Sequence, residues 1–335
     1  MRKTSFLAAF LLSAIVTAPN VQAMEIEPFR SANRSPVIQI YGLPSETSSH
    51  LLPAGKLQLG LTQDIASIHS QSSNGNEEIL LDGELYRWNI AARYSLTDKI
   101  ELGMEIPFVM QDGGFLDGFI VDWHRAFGLS QGGRDTSPKN RLVYQYKKDG
   151  QTKLDMRDDS GGIGDISLLA AYKLYDQQTD SDHDTLAVRT QLKLPSGNSK
   201  KLLGSGGTDL ALFLSGAMNR TTNYGILGLY GSAGGLFTAD GDVLKKQRNN
   251  WVGFGNVGLG WSPAHWIGFK VQCDMHSKFY KQSSLDELGK FATSMTFGGT
   301  LKFPGNYLLD IGVAEDIAVD TAPDVTFHLG LTKRF

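Results

Sequence analysis

The chain has 335 residues, 41% hydrophobic and 20% charged, with 38 glycines, 11 prolines and a mean hydropathy of -0.19. This excludes a disordered chain and a bundle of membrane helices, whose apolar spans of ~20 residues push the average well above zero; a formal charge of -3 leaves no basic field for nucleic acid. The single cysteine, Cys273, excludes an internal disulfide, a multi-cysteine zinc site and, by its distance from the N-terminus, a lipoprotein anchor.

Arg2 and Lys3 precede a short apolar run from Ser5 to Ala18 and the small-residue pattern Val21-Gln22-Ala23. Residues 1–23 therefore read as a secretory signal peptide cleaved after Ala23. Its apolar run is too short for a retained membrane helix, which needs ~18 residues. Residues 24–55, with the segment SPVIQIYGLP, read as a periplasmic lead-in or as a plug entering the periplasmic mouth.

From residue 56 onward the hydrophobic period is two. Ile100, Leu102, Met104, Ile106 and Phe108 alternate with Glu101, Gly103, Glu105 and Pro107; Val325, Phe327, Leu329 and Leu331 alternate with Thr326, His328, Gly330 and Thr332. Twelve such stretches occur, near 56–68, 84–96, 99–110, 163–175, 184–195, 209–218, 223–236, 250–261, 266–279, 290–303, 307–319 and 324–335. Short turns alternate with long polar loops, the longest over 111–162. A soluble sandwich has no reason to sort its long loops to one end, whereas a transmembrane barrel does so while facing apolar residues to lipid. The predicted fold is all-β, an antiparallel outer-membrane barrel of about twelve strands spanning 56–335. Aromatics agree: Tyr94, Trp261, Trp266, Phe303, Tyr307 and Phe335 fall at the short-turn ends, and Phe108, Phe237, Trp251 and Phe291 near the long-loop ends.

Within the long loop, Phe115, Phe119, Trp123 and Phe127 recur at every fourth position, between Gly113-Gly114 and Gly128. That spacing predicts an amphipathic helix. It is expected to constrict the mouth, to lie in the outer-leaflet interface, or to pack on the rim for stability.

Strand parity also predicts the lumen wall. Arg87, Arg93, Glu101, Glu105, Arg189 and Lys193 project inward, as do Lys270, Asp274, His276, Asp310 and Asp316. A turn centred near Thr97 puts Arg93 opposite Glu101 and Asn89 opposite Glu105. Such pairs either fill a narrow barrel with matched charge or line a hydrophilic path, and twelve strands lie between the filled and the open sizes.

Other patterns carry no chemistry. Gly253-Phe254-Gly255-Asn256-Val257-Gly258 fits a dinucleotide fingerprint but continues into a strand where a helix is required. Asp180, Asp182 and Asp184 imitate a calcium loop, yet Thr185 stands where it needs glycine and Gln191 where it needs glutamate. His69 and His276 each neighbour a serine of the wrong parity for nucleophilic catalysis, and no G-x-S-x-G elbow is present. No catalytic residue, cofactor or metal is expected.

IQIYGLP (38–44), LLDGELYRW (80–88), GGFLDGFIVDWHRAFGL (113–129), LKLPSG with LLGSGGTDLALFL (192–214) and AEDIAVDTAPDVTFHLGLTKRF (314–335) resemble the bacterial family DUF3187 across nearly the whole mature chain. The terminal Phe335 resembles the signal read by the barrel-assembly machinery of Gram-negative bacteria. The resemblance supports fold and outer-membrane location and brings no assigned activity. The expected function is a channel or uptake protein for a small hydrophilic solute, with a lipid-modifying enzyme or a structural, adhesin-like barrel as alternatives. The expected partners are outer-membrane lipid, the assembly machinery through Phe335, and that small solute.

Overall fold

A sheet with one apolar and one charged face is stable in a bilayer only when it closes, because an open edge leaves backbone N–H and C=O groups unpaired in hydrocarbon. The computed structural model describes residues 24–45, 48–128, 131, 133–317 and 321–335; the predicted signal peptide lies outside them. The described residues form fifteen strands: β1 (Leu57–Asn74), β2 (Glu77–Thr97), β3 (Ile100–Asp112), β4 (Val143–Lys148), β5 (Gln151–Met156), β6 (Ser160–Ile163), β7 (Ser167–Gln178), β8 (Asp182–Lys193), β9 (Asp209–Thr222), β10 (Gly225–Thr238), β11 (Trp251–Ala264), β12 (Ile267–His276), β13 (Ala292–Phe303), β14 (Tyr307–Asp316) and β15 (Val325–Arg334). Twelve of them, β1 to β3 and β7 to β15, pair antiparallel in one circuit that β1 and β15 close from Gln58↔Arg334 to Ser67↔Val325. The protein is a closed twelve-stranded barrel.

Parity sorts the faces as the alternation requires. On β9, Leu210, Leu212 and Leu214 are exposed toward lipid while Ala211 and Phe213 are buried inside. Lys333, the one charge on the apolar face of β15, lays its ammonium over the Tyr307 and Phe335 rings at 4.7 and 4.6 Å, so its charge sits among the aromatics at the chain-terminal rim.

Two details depart from the sequence reading. β1 and β2 continue as a ladder to Asn74↔Glu77, so residues 69–83 form a hairpin projecting past the membrane where a loop is expected. Above the bilayer, hydrophobic alternation has no lipid to satisfy and fades, while backbone pairing persists. The β2–β3 register is also displaced by two residues: Arg93 pairs with Gly103 and Asn89 with Pro107, because the turn is centred between Asp98 and Lys99 and not near Thr97, and an irregularity between Ser95 and Thr97 takes back only one residue of that shift. The predicted partners still meet diagonally, with Arg93 Nε donating to Glu101 at 2.7 Å and Asn89 Nδ2 to Glu105 at 3.0 Å.

The long loop folds into α1 (Asp117–Phe127), the β4–β5 hairpin, whose β4 pairs antiparallel with the outer end of β2, and β6, which pairs antiparallel with the outer end of β3 where β7 leaves off. Twelve strands lie between barrels that their own side chains fill and barrels that hold an open channel. Here the described residues of 24–53 occupy the interior. They enter at the end marked by the short turns, rise to an apex at Ser35–Tyr41, where the amides of Ile38 and Gln39 both donate to the Ser35 carbonyl at 2.9 Å, and descend to begin β1.

Candidate functional site

Both limbs of this internal segment are held by inward-facing wall side chains, which satisfy backbone groups that form no ladder of their own. On the rising limb the Met24 backbone nitrogen donates to Ser262 Oγ (3.0 Å), the Ile26 amide to Asn219 Oδ1 (3.0 Å) and the Phe29 amide to Gln272 Oε1 (2.9 Å). Glycine makes the approach possible: a Cβ on Gly228 or Gly260 would lie 2.5 Å from the Ile26 side chain. Higher up, Arg30 pairs with Glu105, Ser31 Oγ donates to Asp274 at 2.7 Å, and Asn33 contacts His276 Nε2 at 2.9 Å. Arg34 donates to Asp64 at 2.6 Å, and His328 holds the other oxygen of that carboxylate.

The descending limb meets the opposite wall. The Gly42 amide donates to Asp209 Oδ2 at 2.8 Å, Arg189 donates to the Ser48 carbonyl, and the Leu52 amide lies 3.4 Å from Glu101. Lys193 is fully enclosed: its ammonium lies 2.5 Å from Asp165, 3.1 Å from Asp209 and 2.7 Å from Ser205 Oγ, and reaches the Ile40 carbonyl at 3.3 Å. Burial of a charge is tolerated only with such full pairing.

The predicted lumen residues thus divide into those that grip the segment and those that brace the wall. Glu101, Glu105, Arg189, Lys193, Asp274 and His276 contact it directly, and Arg87 donates to Gln39 Oε1 at 3.0 Å. Lys270 pairs with Asp310 at 2.7 Å and places its ammonium 3.9 Å from the Phe29 ring centroid. Arg93 braces Glu101. Asp316 accepts the Thr321 and Ala322 amides at 2.8 and 3.1 Å.

At the apex the chemistry changes. Val37, Ile38, Ile40 and Tyr41 are buried in one cluster with Leu81, Tyr144, Leu203, Leu244, Phe279 and Tyr280 from the outer loops. Tyr41 stacks on Phe279 with centroids 4.9 Å apart, and the Tyr280 hydroxyl donates to the Val37 carbonyl at 2.7 Å. Burial pushes the Tyr280 phenol well above its ordinary pKa, keeping it a neutral donor. The loops form an apolar dome over the tip. Beside Arg87, Glu105 and Lys193 the space left between segment and wall is about 20 Å³, room for one water.

The loop helix does not constrict this lumen. Phe115, Phe119 and Trp123 face outward and are exposed, and Phe119 approaches Phe327 on the lipid face of β15 with centroids 6.4 Å apart. The buried side is Leu116, Ile120 and Val121. The side chain of Phe127 lies outside the described residues. Glu84 receives the Phe115 and Leu116 amides at 2.8 and 2.5 Å at the helix N-terminus, and Arg134 ties Asp117 to Ser67 of β1 and Asp324 beside β15.

Sequence proximity missed one further contact. His69 Nδ1 lies 3.1 Å from Asp82, and Ser137 Oγ lies 3.4 Å from His69 Nε2, at the edge of a rim cavity of about 630 Å³. The serine comes from a loop 68 residues away and not from a neighbour on the strand.

The fold is shared with a solved outer-membrane channel of Pseudomonas putida F1, COG4313, at a TM-score of 0.55 and 14% identity, covering 86% of this chain and 98% of that one. The KdgM porin aligns at 0.40 and 10%, over 83% of this chain and 99% of its own. The toluene transporter TodX of P. putida aligns at 0.31 and 12%, over 85% and 90%. No curated protein matches the sequence. Closed barrel, lipid-facing apolar belt and shared architecture make this an outer-membrane β-barrel protein. The model of one family, described as protein of unknown function (DUF3187), matches residues 6–335, strands and internal segment alike, and the chain belongs to that family.

Proposed function

We propose that the protein is a gated conduit for a small hydrophilic solute, with residues 24–53 as the gate. The observation that carries this reading is the polarity of the contact between segment and wall. Along the lumen the segment is held by charges and hydrogen-bond donors and acceptors that water can replace, so a vacated lumen is wettable and lined by cations and anions of both signs. A permanent filler serves stability better with apolar contacts. Phe335, whose amide donates to the Leu57 carbonyl at 2.9 Å, serves in this reading as the assembly signal.

Removal of residues 24–53 behind an intact signal peptide tests it in planar bilayers and in liposome swelling. The deletion is expected to open a steady conductance absent from the full chain and to admit small sugars or ions. A deletion variant that folds, shown by its altered migration on heating in SDS, yet conducts nothing would overturn the reading.

A second reading rests on the contacts among Ser137, His69 and Asp82, which order a hydroxyl, a base and a carboxylate as acyl-transfer enzymes do. It assigns a lipid hydrolase to the outer rim. Turnover of a fluorogenic phospholipid, abolished by Ser137→Ala, supports it; equal turnover by that variant removes it.

A further inference from the structure

At the entrance of the internal segment three side chains from distant parts of the chain converge. Glu25 comes from the rising limb, His50 from the descending limb and His183 from the start of β8. Their candidate ligand atoms all lie within 4.8 Å of one another. We propose that Glu25, His50 and His183 bind a divalent transition-metal ion of the zinc class, and that this ion latches both limbs of the segment to the barrel wall.

Three observations support it. The donor set, two imidazoles and one carboxylate, is that of three-ligand zinc sites, which complete a tetrahedron with water. His183 is flanked on both ring nitrogens by carboxylates, with Nδ1 at 2.7 Å from Glu25 and Nε2 at 2.9 Å from Asp176. With the proton on Nε2 donated to Asp176, Nδ1 presents a lone pair to a carboxylate oxygen, an opposition that only a proton or a metal cation between them relieves. Lys173 fixes Asp176 through its second oxygen at 2.6 Å. A carboxylate that orients the far nitrogen of a ligating histidine is the usual support of such a site. Finally, His50 Nδ1 is buried with no hydrogen-bond partner, while its ring stands edge-on to His183 with centroids 4.9 Å apart. Bonds of about 2.0–2.2 Å to one ion draw tetrahedral donors to about 3.4 Å from one another, so binding contracts this set and pulls the two limbs toward β8.

The proposal does not depend on conduction, because its readouts are metal binding and local exchange. Chelator-treated full-length mature protein in detergent is titrated with zinc chloride by calorimetry. One saturable site is expected, weakened at least tenfold in Glu25→Ala, His50→Ala and His183→Ala, and about 10- to 100-fold in Asp176→Asn. His265→Ala, in the exposed β11–β12 turn, is expected to bind as the wild type does. Cobalt added to the wild-type protein should give the visible bands of a four-coordinate nitrogen and oxygen site, a measurement that needs no variant. Zinc should slow amide exchange at residues 24–27 and 48–52. Unchanged affinity in the His50→Ala/His183→Ala protein, absence of the cobalt bands, or zinc binding with no change in that exchange would each overturn the latch.

Discussion

Two of the non-strand segments that carry apolar residues end on opposite sides of the wall. Residues 24–53 lie in the lumen with an apolar tip and polar limbs; α1 lies outside, with its largest rings turned toward the lipid-facing surface. The difference follows from backbone satisfaction. An irregular segment cannot enter hydrocarbon with unpaired amides, but a charged lumen supplies partners for them, as Ser262, Asn219, Gln272 and Asp209 do. A helix pairs its own backbone and can expose Phe119 and Trp123 at a membrane interface. Hydrophobicity alone does not decide which segment goes in.

The comparison breaks first at Lys193. Lys193→Ala leaves Asp165 and Asp209 facing one another around an empty position, with the Ile40 carbonyl released from its donor. Removing one partner of a buried ionic cluster costs about 3–5 kcal/mol. The urea midpoint for loss of the heat-modifiable form should fall accordingly, and Lys193→Ala/Asp209→Ala should recover part of it by removing one unpaired carboxylate. Equal midpoints for the wild type and Lys193→Ala would show that solvent already reaches the cluster.

At the apex, Tyr41→Ala removes the ring stacked on Phe279. A buried aromatic truncated to alanine costs about 3 kcal/mol, close to a hundredfold in the equilibrium between seated and displaced segment. Open probability in bilayers should rise while the barrel stays folded. Tyr280→Phe is a smaller change, of about 1–2 kcal/mol, because it deletes one hydrogen bond and leaves the Val37 carbonyl unpaired. A smaller rise in open probability, in the same direction, should separate it from Tyr41→Ala.

What was legible in the sequence follows the period of the backbone. Parity alone placed Glu101, Arg189, Lys193 and Asp274 inside, because every second side chain of a strand shares a face. The partners of those residues were not legible. Phe29 and Gln272, or Asn33 and His276, are 243 positions apart, and one of each pair lies in a segment with no period. The cluster of Glu25, His50 and His183 was hidden for the same reason. The register of β2 on β3 differs from the expected one because the turn is centred between Asp98 and Lys99, a placement that strand alternation does not mark, and the irregularity at Ser95 and Thr97 only partly restores it. The α1 spacing left three seats open, the mouth, the outer-leaflet interface and the rim; the structure turns the aromatic stripe outward, the inverse of packing in a soluble protein, and gives Leu116, Ile120 and Val121 the buried side.

That inversion supplies the smallest expected effect on conduction and the sharpest contrast with the internal segment. Phe119→Ser combined with Trp123→Ser removes two rings that touch each other at 6.1 Å and, through Phe119, reach Phe327 on the lipid face. Neither ring enters the lumen, so single-channel conductance and open probability should match the full chain within error. The helix should remain seated, because Glu84 at its N-terminus and Arg134 beneath it are untouched. What should change is contact with the outer leaflet: fluorescence of Trp123 in a Phe119→Ser protein whose other four tryptophans are replaced by Phe, quenched by lipids brominated near the headgroup, reports whether the ring sits at that depth. A rise in conductance on removing the two rings would place α1 over the barrel mouth and undo the distinction between the internal segment and the outer helix.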